Sequence, residues 1–195
     1  MRMQIEYEAT FIGIDKEDIR KRLKKAGAEL VHPERLQKRI TFHPPQGKRA
    51  HRGCGWVRVR DEGDKITVSM KRIVGDSISD QQEACITAND YTSSIELLEA
   101  LGCVQKSYQE SKRETWILDG VEITIDTWPH LDPYIDVEGS SEDEVKQVSE
   151  KLGFDYADAK FCSADKIYAD AYNVSPELVY NDTPRITFTD PNPFI

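Results

Sequence analysis

Met3-Gln4-Ile5-Glu6-Tyr7-Glu8-Ala9-Thr10-Phe11 alternates cleanly, with Met3, Ile5, Tyr7, Ala9 and Phe11 on one face and Gln4, Glu6, Glu8 and Thr10 on the other. A period of two is that of a β-strand, in which successive side chains point to opposite faces. The carboxylates of Glu6 and Glu8 therefore project side by side. Taken alone, this is an ordinary amphipathic strand with its polar face in water. The same device recurs along the chain, however, with both signs of charge. Arg58 and Arg60 flank Val59, Asp136 and Glu138 flank Val137, and Glu122, Thr124 and Asp126 lie opposite Val121, Ile123 and Ile125. In 66–71 the polar face ends in Lys71. If the apolar faces turn outward beneath covering helices, the charged faces line an interior. A closed antiparallel barrel with a polar lumen permits this.

Composition narrows the function classes. A chain of 195 residues suffices for one domain with a good core and a short appendage. Hydrophobic content of 38 % and charged content of 31 % suit a soluble globular protein. No apolar run approaches the length of a membrane span, and the N-terminus lacks the basic-then-apolar layout of a signal peptide. Both features lead us to expect a cytoplasmic protein with no membrane partner. The net charge of −9 argues against nucleic-acid binding, which needs surplus Lys and Arg to neutralise phosphates. It leaves room for a small anion in a locally basic cleft. Cys54, Cys85, Cys103 and Cys162 are far apart and form no CxxC pair, and the histidines (His32, His43, His51, His130) are scattered. Neither zinc chelation nor a disulfide framework is expected, and any metal should be a hard cation on oxygen ligands.

Taken in order, the chain reads as strands interrupted by capped helices. Asp15 is expected to cap a helix over 16–26, with Ile19, Leu23 and Ala26 as its apolar stripe and Gly27 as its stop. Its many Lys and Arg form a solvated face. A strand around 36–42 leads into a Pro/Gly-punctuated loop over 43–55 with a basic centre. That loop is either a flap over a phosphate ligand or a plain connection, and its glycine spacing matches neither a Walker A nor a Rossmann pattern. Strands follow at 56–60 and 65–72, and one at 81–86 would bring Glu83 inward. A helix over 91–101 uses Ile95, Leu98 and Leu101. The strand over 109–118 carries Lys112-Arg113, and Asp119-Gly120 is a strong hairpin turn into 121–127. After a strand at 134–139, Ser141 and Glu144 form a capping-box pattern for a helix with Val145, Val148 and Leu152. A last helix spans 163–173. The remainder, 175–195, holds four of the nine prolines (Pro176, Pro184, Pro191, Pro193) and is expected as an extended tail packed on the surface or on a partner, after a domain of 1–174.

The inward candidates are the carboxylates Glu6, Glu8, Glu83, Asp126, Asp136 and Glu138 and the cations Arg58, Arg60, Lys71 and Arg113. Burying so many charges is costly unless they are paired or bind ions. Mg²⁺ or Mn²⁺ suits crowded carboxylates and phosphate oxygens, and Arg suits a bidentate grip on phosphate. An acidic wall facing a basic wall therefore points to a metal-chelated polyphosphate lying through a tunnel. The competing reading is an unliganded ladder of ion pairs, which costs stability at this density.

These pieces resemble the CYTH superfamily of triphosphate tunnel enzymes, which contains class IV adenylyl cyclases, thiamine triphosphatases and inorganic tripolyphosphatases. Its E-x-E-x-K strand is similar to Glu6-Tyr7-Glu8-Ala9-Thr10, and its R-x-R strand to Arg58-Val59-Arg60, followed by the Lys71-Arg72 strand. Glu83, Lys112-Arg113, Asp126 and Asp136-Val137-Glu138 continue the family's order, so the likeness covers roughly 1–172. The resemblance implies an α+β fold: an eight-stranded antiparallel barrel with flanking helices. It implies metal ligation by Glu6, Glu8, Glu83, Asp126, Asp136 and Glu138, triphosphate binding by Arg58, Arg60, Lys71 and Arg113, and catalytic roles for Glu6, Glu8 and Lys71. Two positions depart from the pattern. Thr10 stands where the first motif places Lys, and Asp136 stands for Glu. Basic residues within 48–52, or Lys160 and Lys166, are candidates to compensate for Thr10.

The function this implies is divalent-metal-dependent processing of a triphosphate, first of all hydrolysis of tripolyphosphate, thiamine triphosphate or ATP. The alternatives are a class IV-type adenylyl cyclase and, because of Thr10, a sensor that binds nucleotide or polyphosphate without turnover. A homodimer is expected from family precedent alone.

Overall fold

The computed structural model describes residues 3–45 and 55–195, so the basic centre of the 43–55 loop lies outside the described residues. Its strands are β1 (Gln4–Ile5), β2 (Tyr7–Phe11), β3 (Glu29–His43), β4 (Trp56–Asp61), β5 (Ile66–Ile73), β6 (Gln81–Ala88), β7 (Val104–Leu118), β8 (Val121–Thr127), β9 (Tyr134–Gly139) and β10 (Arg185–Ile186). Its helices are α1 (Lys16–Ala26), α2 (Tyr91–Ala100), α3 (Glu142–Lys151), α4 (Ala164–Tyr172) and α5 (Pro176–Asn181). Nine strands make one antiparallel, nearly closed barrel in the order β1-β6-β5-β4-β3-β7-β8-β9-β2, and β10 is appended parallel to β7.

Closure comes from the N-terminal segment. β1 pairs with β6 at one edge of the sheet, and past Glu6 β2 pairs with β9 at the other. The expected eight strands become nine because this one passage changes neighbours at Glu6, whose N–H donates to the Gln81 carbonyl at 3.0 Å. In the gap that opens beyond, Thr10 and Lys160 exchange two backbone hydrogen bonds of 2.9 Å. The hairpin between β7 and β8 is the expected one. Asp119 and Gly120 both have positive φ, 53° and 86°, as a two-residue turn of matching twist demands.

The core lies outside the barrel. Ala9, Ile123, Ile125, Ile135 and Val137 are fully buried on its outer face beneath Ile19 and Leu23 of α1 and Val145, Val148 and Leu152 of α3. α2 covers Phe42 and Val59 with Leu98. Leu101, expected to share that apolar stripe, instead caps the helix and is exposed, because the helix ends one residue earlier. Residues directly opposed in an antiparallel ladder share a face. Ile117, Glu122, Glu138 and Glu8 therefore make one lumen row, and Thr115, Thr124, Asp136 and Thr10 the next.

Three local expectations are corrected. β3 and β7 are each 15 residues long, much more than the expected 36–42 and 109–118, because bulges break their alternation. At α3 the Ser141 hydroxyl accepts from the Glu144 N–H, but the Glu144 carboxylate turns to the N–H and hydroxyl of Ser140 instead of Ser141. The segment 175–195 is packed on the barrel but is not extended throughout. Ser175 caps α5 with Pro176 in the first turn, where the missing N–H costs nothing. Val179 and Ile186 of this segment are buried with Trp128, Tyr134 and Tyr168, and Ser107 Oγ donates to the Thr183 carbonyl at 2.8 Å. Together α4 and α5 cover one end of the lumen.

If the outer faces carry the stability, Ile123→Ala should cost ~2–5 kcal/mol in urea unfolding. A loss under ~1 kcal/mol would mean that the core has been placed on the wrong side of the sheet.

Candidate active site

The acidic wall is built where the N-terminal segment meets β9. Glu6, Glu8 and Glu138 each bring a carboxylate oxygen to within 4.8 Å of the others. Burial, then Glu8 and Glu6, push the Glu138 carboxyl up to about 8. Burial also raises Glu6, against the opposing pull of Lys71. Lys71 Nζ lies 2.7 Å from Glu6 Oε2 and 3.3 Å from Glu8 Oε1. Burial disfavours the Lys71 ammonium, but Glu8 and Glu6 outweigh it and hold the charge firmly. Glu6 Oε2 is nevertheless buried without a hydrogen bond of good geometry. Three converging carboxylates, two of them with raised affinity for a proton, fit a hard divalent cation such as Mg²⁺ or Mn²⁺.

The other three acidic candidates stand elsewhere. Glu83 accepts from Arg58 at 3.0 Å. Asp126 is clasped by Arg113, with Nε to Oδ1 at 2.8 Å. Asp136 accepts from the Thr10 hydroxyl at 2.6 Å and lies 3.7 Å from Arg113. Burial first, then Glu8 and Asp126, push the Asp136 carboxyl well above the usual carboxylate range. Glu83 and Asp126 are thus counter-charges to Arg58 and Arg113, while Asp136 is held by Thr10. Of the cations, Arg60 bonds Glu62 at 2.8 Å, and its guanidinium is destabilised by burial and by Arg58 and Arg113. Glu8, Thr10, Arg58, Lys71, Arg113 and Asp136 all line one cavity.

Two lumen cations escaped the sequence. Arg39 stacks 4.1 Å from the Trp128 ring centroid and donates from Nε to Gln109 Oε1 at 2.8 Å. Gln37, Arg39 and Thr41 alternate with Ile40 and Phe42, so the pattern that revealed Arg58 and Arg60 was present here too. Lys106 carried no such signal. It is the extra residue of a bulge, since Thr41 pairs with Ser107 and Phe42 with Gln105. By simple alternation from Ser107 it should point outward, but it lines the cavity.

The two lysines considered as substitutes for position 10 now separate. Lys166 is exposed on α4 and pairs with Asp170 of the same helix. Lys160 pairs its backbone with Thr10, and its neighbours Ala159 and Phe161 pack on the outer core. In extended chain that alternation turns position 160 toward the lumen.

The molecule is thus a nearly closed antiparallel barrel with helices outside and with acidic and basic side chains on facing sides of its lumen. The sequence matches the CYTH domain over residues 4–168, and the chain belongs to the CYTH family. No curated protein matches it. Among solved structures, it is similar to a conserved hypothetical protein of Pyrococcus furiosus at 20 % identity and a TM-score of 0.66, over 82 % of this chain and 97 % of that one. A protein of Vibrio parahaemolyticus described as a candidate adenylate cyclase is similar at 13 % identity and a TM-score of 0.72, over 86 % and 99 %. A candidate adenylyl cyclase of Hippeastrum, described as having a dominant triphosphatase activity, is similar at 12 % identity and a TM-score of 0.54, over 87 % and 97 %. At these identities the likeness is one of fold.

The crowded triad gives a signed pH dependence. Glu138 binds its proton more tightly folded, about 8, than the ordinary 4.5, so metal-free stability should fall as pH rises through that window. Mg²⁺ should raise the melting temperature more at about pH 8 than at about pH 6, because it replaces the proton. Glu138→Gln should flatten both trends, and a Mg²⁺ response surviving intact in that variant would remove Glu138 from the metal site.

Proposed function

We propose that this CYTH protein is a divalent-metal-dependent triphosphatase that hydrolyses the terminal phosphoryl group of an inorganic or organic triphosphate. The observation that carries the reading is the pairing of walls: the Glu6, Glu8 and Glu138 oxygens within 4.8 Å of one another, and Arg58, Lys71 and Arg113 lining the same cavity as Glu8. Glu6, Glu8 and Glu138 would hold Mg²⁺ or Mn²⁺. When bound, such an ion supplies charge neutralisation and lowers the pKa of water.

The chain's own residues do the positioning. Arg58, Arg60 and Arg113 would take phosphate oxygens through bidentate hydrogen bonds, exchanging Glu83, Glu62 and Asp126 for the ligand. Phosphoryl transfer needs in-line geometry and charge stabilisation more than a covalent nucleophile. Accordingly the reaction is attack by water on the terminal phosphorus, with the bridging P–O bond breaking and the diphosphate leaving with its electron pair. Glu8 would orient that water, and Lys71, between Glu6 and Glu8, would neutralise charge on the phosphates.

A second reading has its own observation. Thr10 supplies no charge to the lumen and spends its hydroxyl on Asp136, which favours a protein that binds polyphosphate without turning it over. A product assay with Mg²⁺ and then Mn²⁺, offering tripolyphosphate, thiamine triphosphate and ATP, separates these readings. Phosphate release supports the triphosphatase, and cyclic AMP with pyrophosphate would instead make it a cyclase of the kind named for the Vibrio relative. Metal-dependent thermal stabilisation by triphosphate with no product would establish binding alone.

Glu6→Gln should abolish turnover while leaving the melting temperature near that of the wild type, and normal turnover would sink the metal assignment. Arg58→Ala and Arg60→Ala should each weaken triphosphate binding by about tenfold or more, the cost of a lost charge-assisted hydrogen bond. Unaltered affinity in titration calorimetry would count against the basic wall.

A further inference from the structure

Resting on the triphosphate reading, we propose that Arg39 and Lys106 form a separate phosphoryl subsite at the capped end of the lumen. It takes the phosphoryl group that a triphosphate has and a diphosphate lacks, and so sets chain-length selectivity.

The other lumen cations already have carboxylate partners: Lys71 with Glu6 and Glu8, Arg58 with Glu83, Arg60 with Glu62, and Arg113 with Asp126. Arg39 and Lys106 form no ion pair with a carboxylate among the described residues. Ring faces and, for Arg39, the Gln109 amide hold them, which leaves both cations without a full counter-charge. Both side chains line the same cavity as Glu8, Arg58, Lys71 and Arg113, on its side next to Trp128 and Tyr180. β3 and β7, which carry Arg39 and Lys106, lie across the ring from the N-terminal segment with Glu6 and Glu8. On this proposal the phosphate chain runs from the acidic triad, past Arg58 and Arg60, to this pair.

The bulge is the second, independent sign. One extra residue in β7 re-aims Lys106 inward, and bulges do this beside functional sites. Lys106 Nζ then rests 2.9 Å from the centroid of the Tyr180 ring on α5. The charged groups facing it are Asp165 from α4, which favours the ammonium, and Arg39 from β3, which opposes it. Burial is the largest influence and brings the Lys106 ammonium down to about 7. An arriving phosphoryl group restores the proton, so binding takes up a proton and affinity declines as pH rises beyond about 7.

The test is titration calorimetry on the full chain with Mg²⁺, using tripolyphosphate and pyrophosphate as probes for wild type, Arg39→Gln and Lys106→Met. Each variant should lose about tenfold or more in tripolyphosphate affinity and less than about threefold in pyrophosphate affinity. Repeating the titrations in buffers of different ionisation heat should show proton uptake in the wild type that Lys106→Met removes. Ligand-free melting temperatures should stay level or rise, because an unpaired buried charge has been deleted, and a fall would mark a structural role and overturn the subsite. Equal losses for both probes, or none, would overturn it while leaving the triphosphate reading intact. A wild type that binds neither probe would overturn both.

Discussion

Enclosed charge is the constraint on which everything else in this molecule depends. A barrel interior is partly shielded from water, and carboxylates and guanidiniums placed there lose solvation that only pairing or ligand binding restores. The chain meets this by segregating charge. Acidic groups gather where β1, β2 and β9 meet, basic groups line β3, β4 and β7, and Lys71 and Asp126 bridge to the opposite sign. Segregation leaves residual repulsion on each side. Glu138 holds its proton too well, and Arg39 and Arg60 hold theirs less well than usual. Under the proposed function, a metal-bound polyphosphate would answer both imbalances at once. A ladder built only for stability would interleave the signs and leave neither wall in excess.

Holding charge inside forces the apolar residues out, and this sets the role of the helices. α1 and α3 bury the outer faces of β2, β8 and β9, so the strands bearing Glu8, Asp126 and Asp136 are clamped from behind. Their lumen side chains are positioned by this packed layer behind them and by the contacts of Glu8 with Lys71, Asp126 with Arg113 and Asp136 with Thr10. The capped end is made differently. There Trp128, Tyr134, Tyr168, Val179 and Ile186 form a separate cluster, and the C-terminal residues are tied to β7 through Thr183 and Pro184. That cap encloses Lys106 and Arg39, which explains why cations at this end are desolvated more than their partners can repay.

Closure is the other consequence. The N-terminal passage cannot pair with β6 and β9 along its whole length, so it changes partner at Glu6. The change puts Glu6 at the junction of both edges and leaves a gap into which Lys160 brings its backbone against Thr10. One irregularity in an otherwise regular barrel thus positions the acidic triad and admits the segment leading to α4.

By itself the sequence determined which residues face inward wherever alternation is unbroken, because side-chain direction in a strand follows from position alone. Glu6, Glu8, Arg58, Arg60, Asp126, Asp136 and Glu138 were all readable in this way, as was the hairpin at Asp119-Gly120. Arg39 was readable too, on the same face as Gln37 and Thr41. What only the tertiary structure decided was partnership and irregularity. No spacing in the chain says that Glu138 joins Glu6 and Glu8 while Asp126 goes to Arg113, since the choice is made by strand register across the ring. No alternation finds Lys106, because its direction is set by a bulge against β3. Nor does composition show that the proline-bearing C-terminus folds into α5 and seals the lumen, because Pro176 is as acceptable in a first helical turn as in an extended tail. Local geometry is carried by neighbours in sequence, and the electrostatics of an enclosed site by neighbours in space.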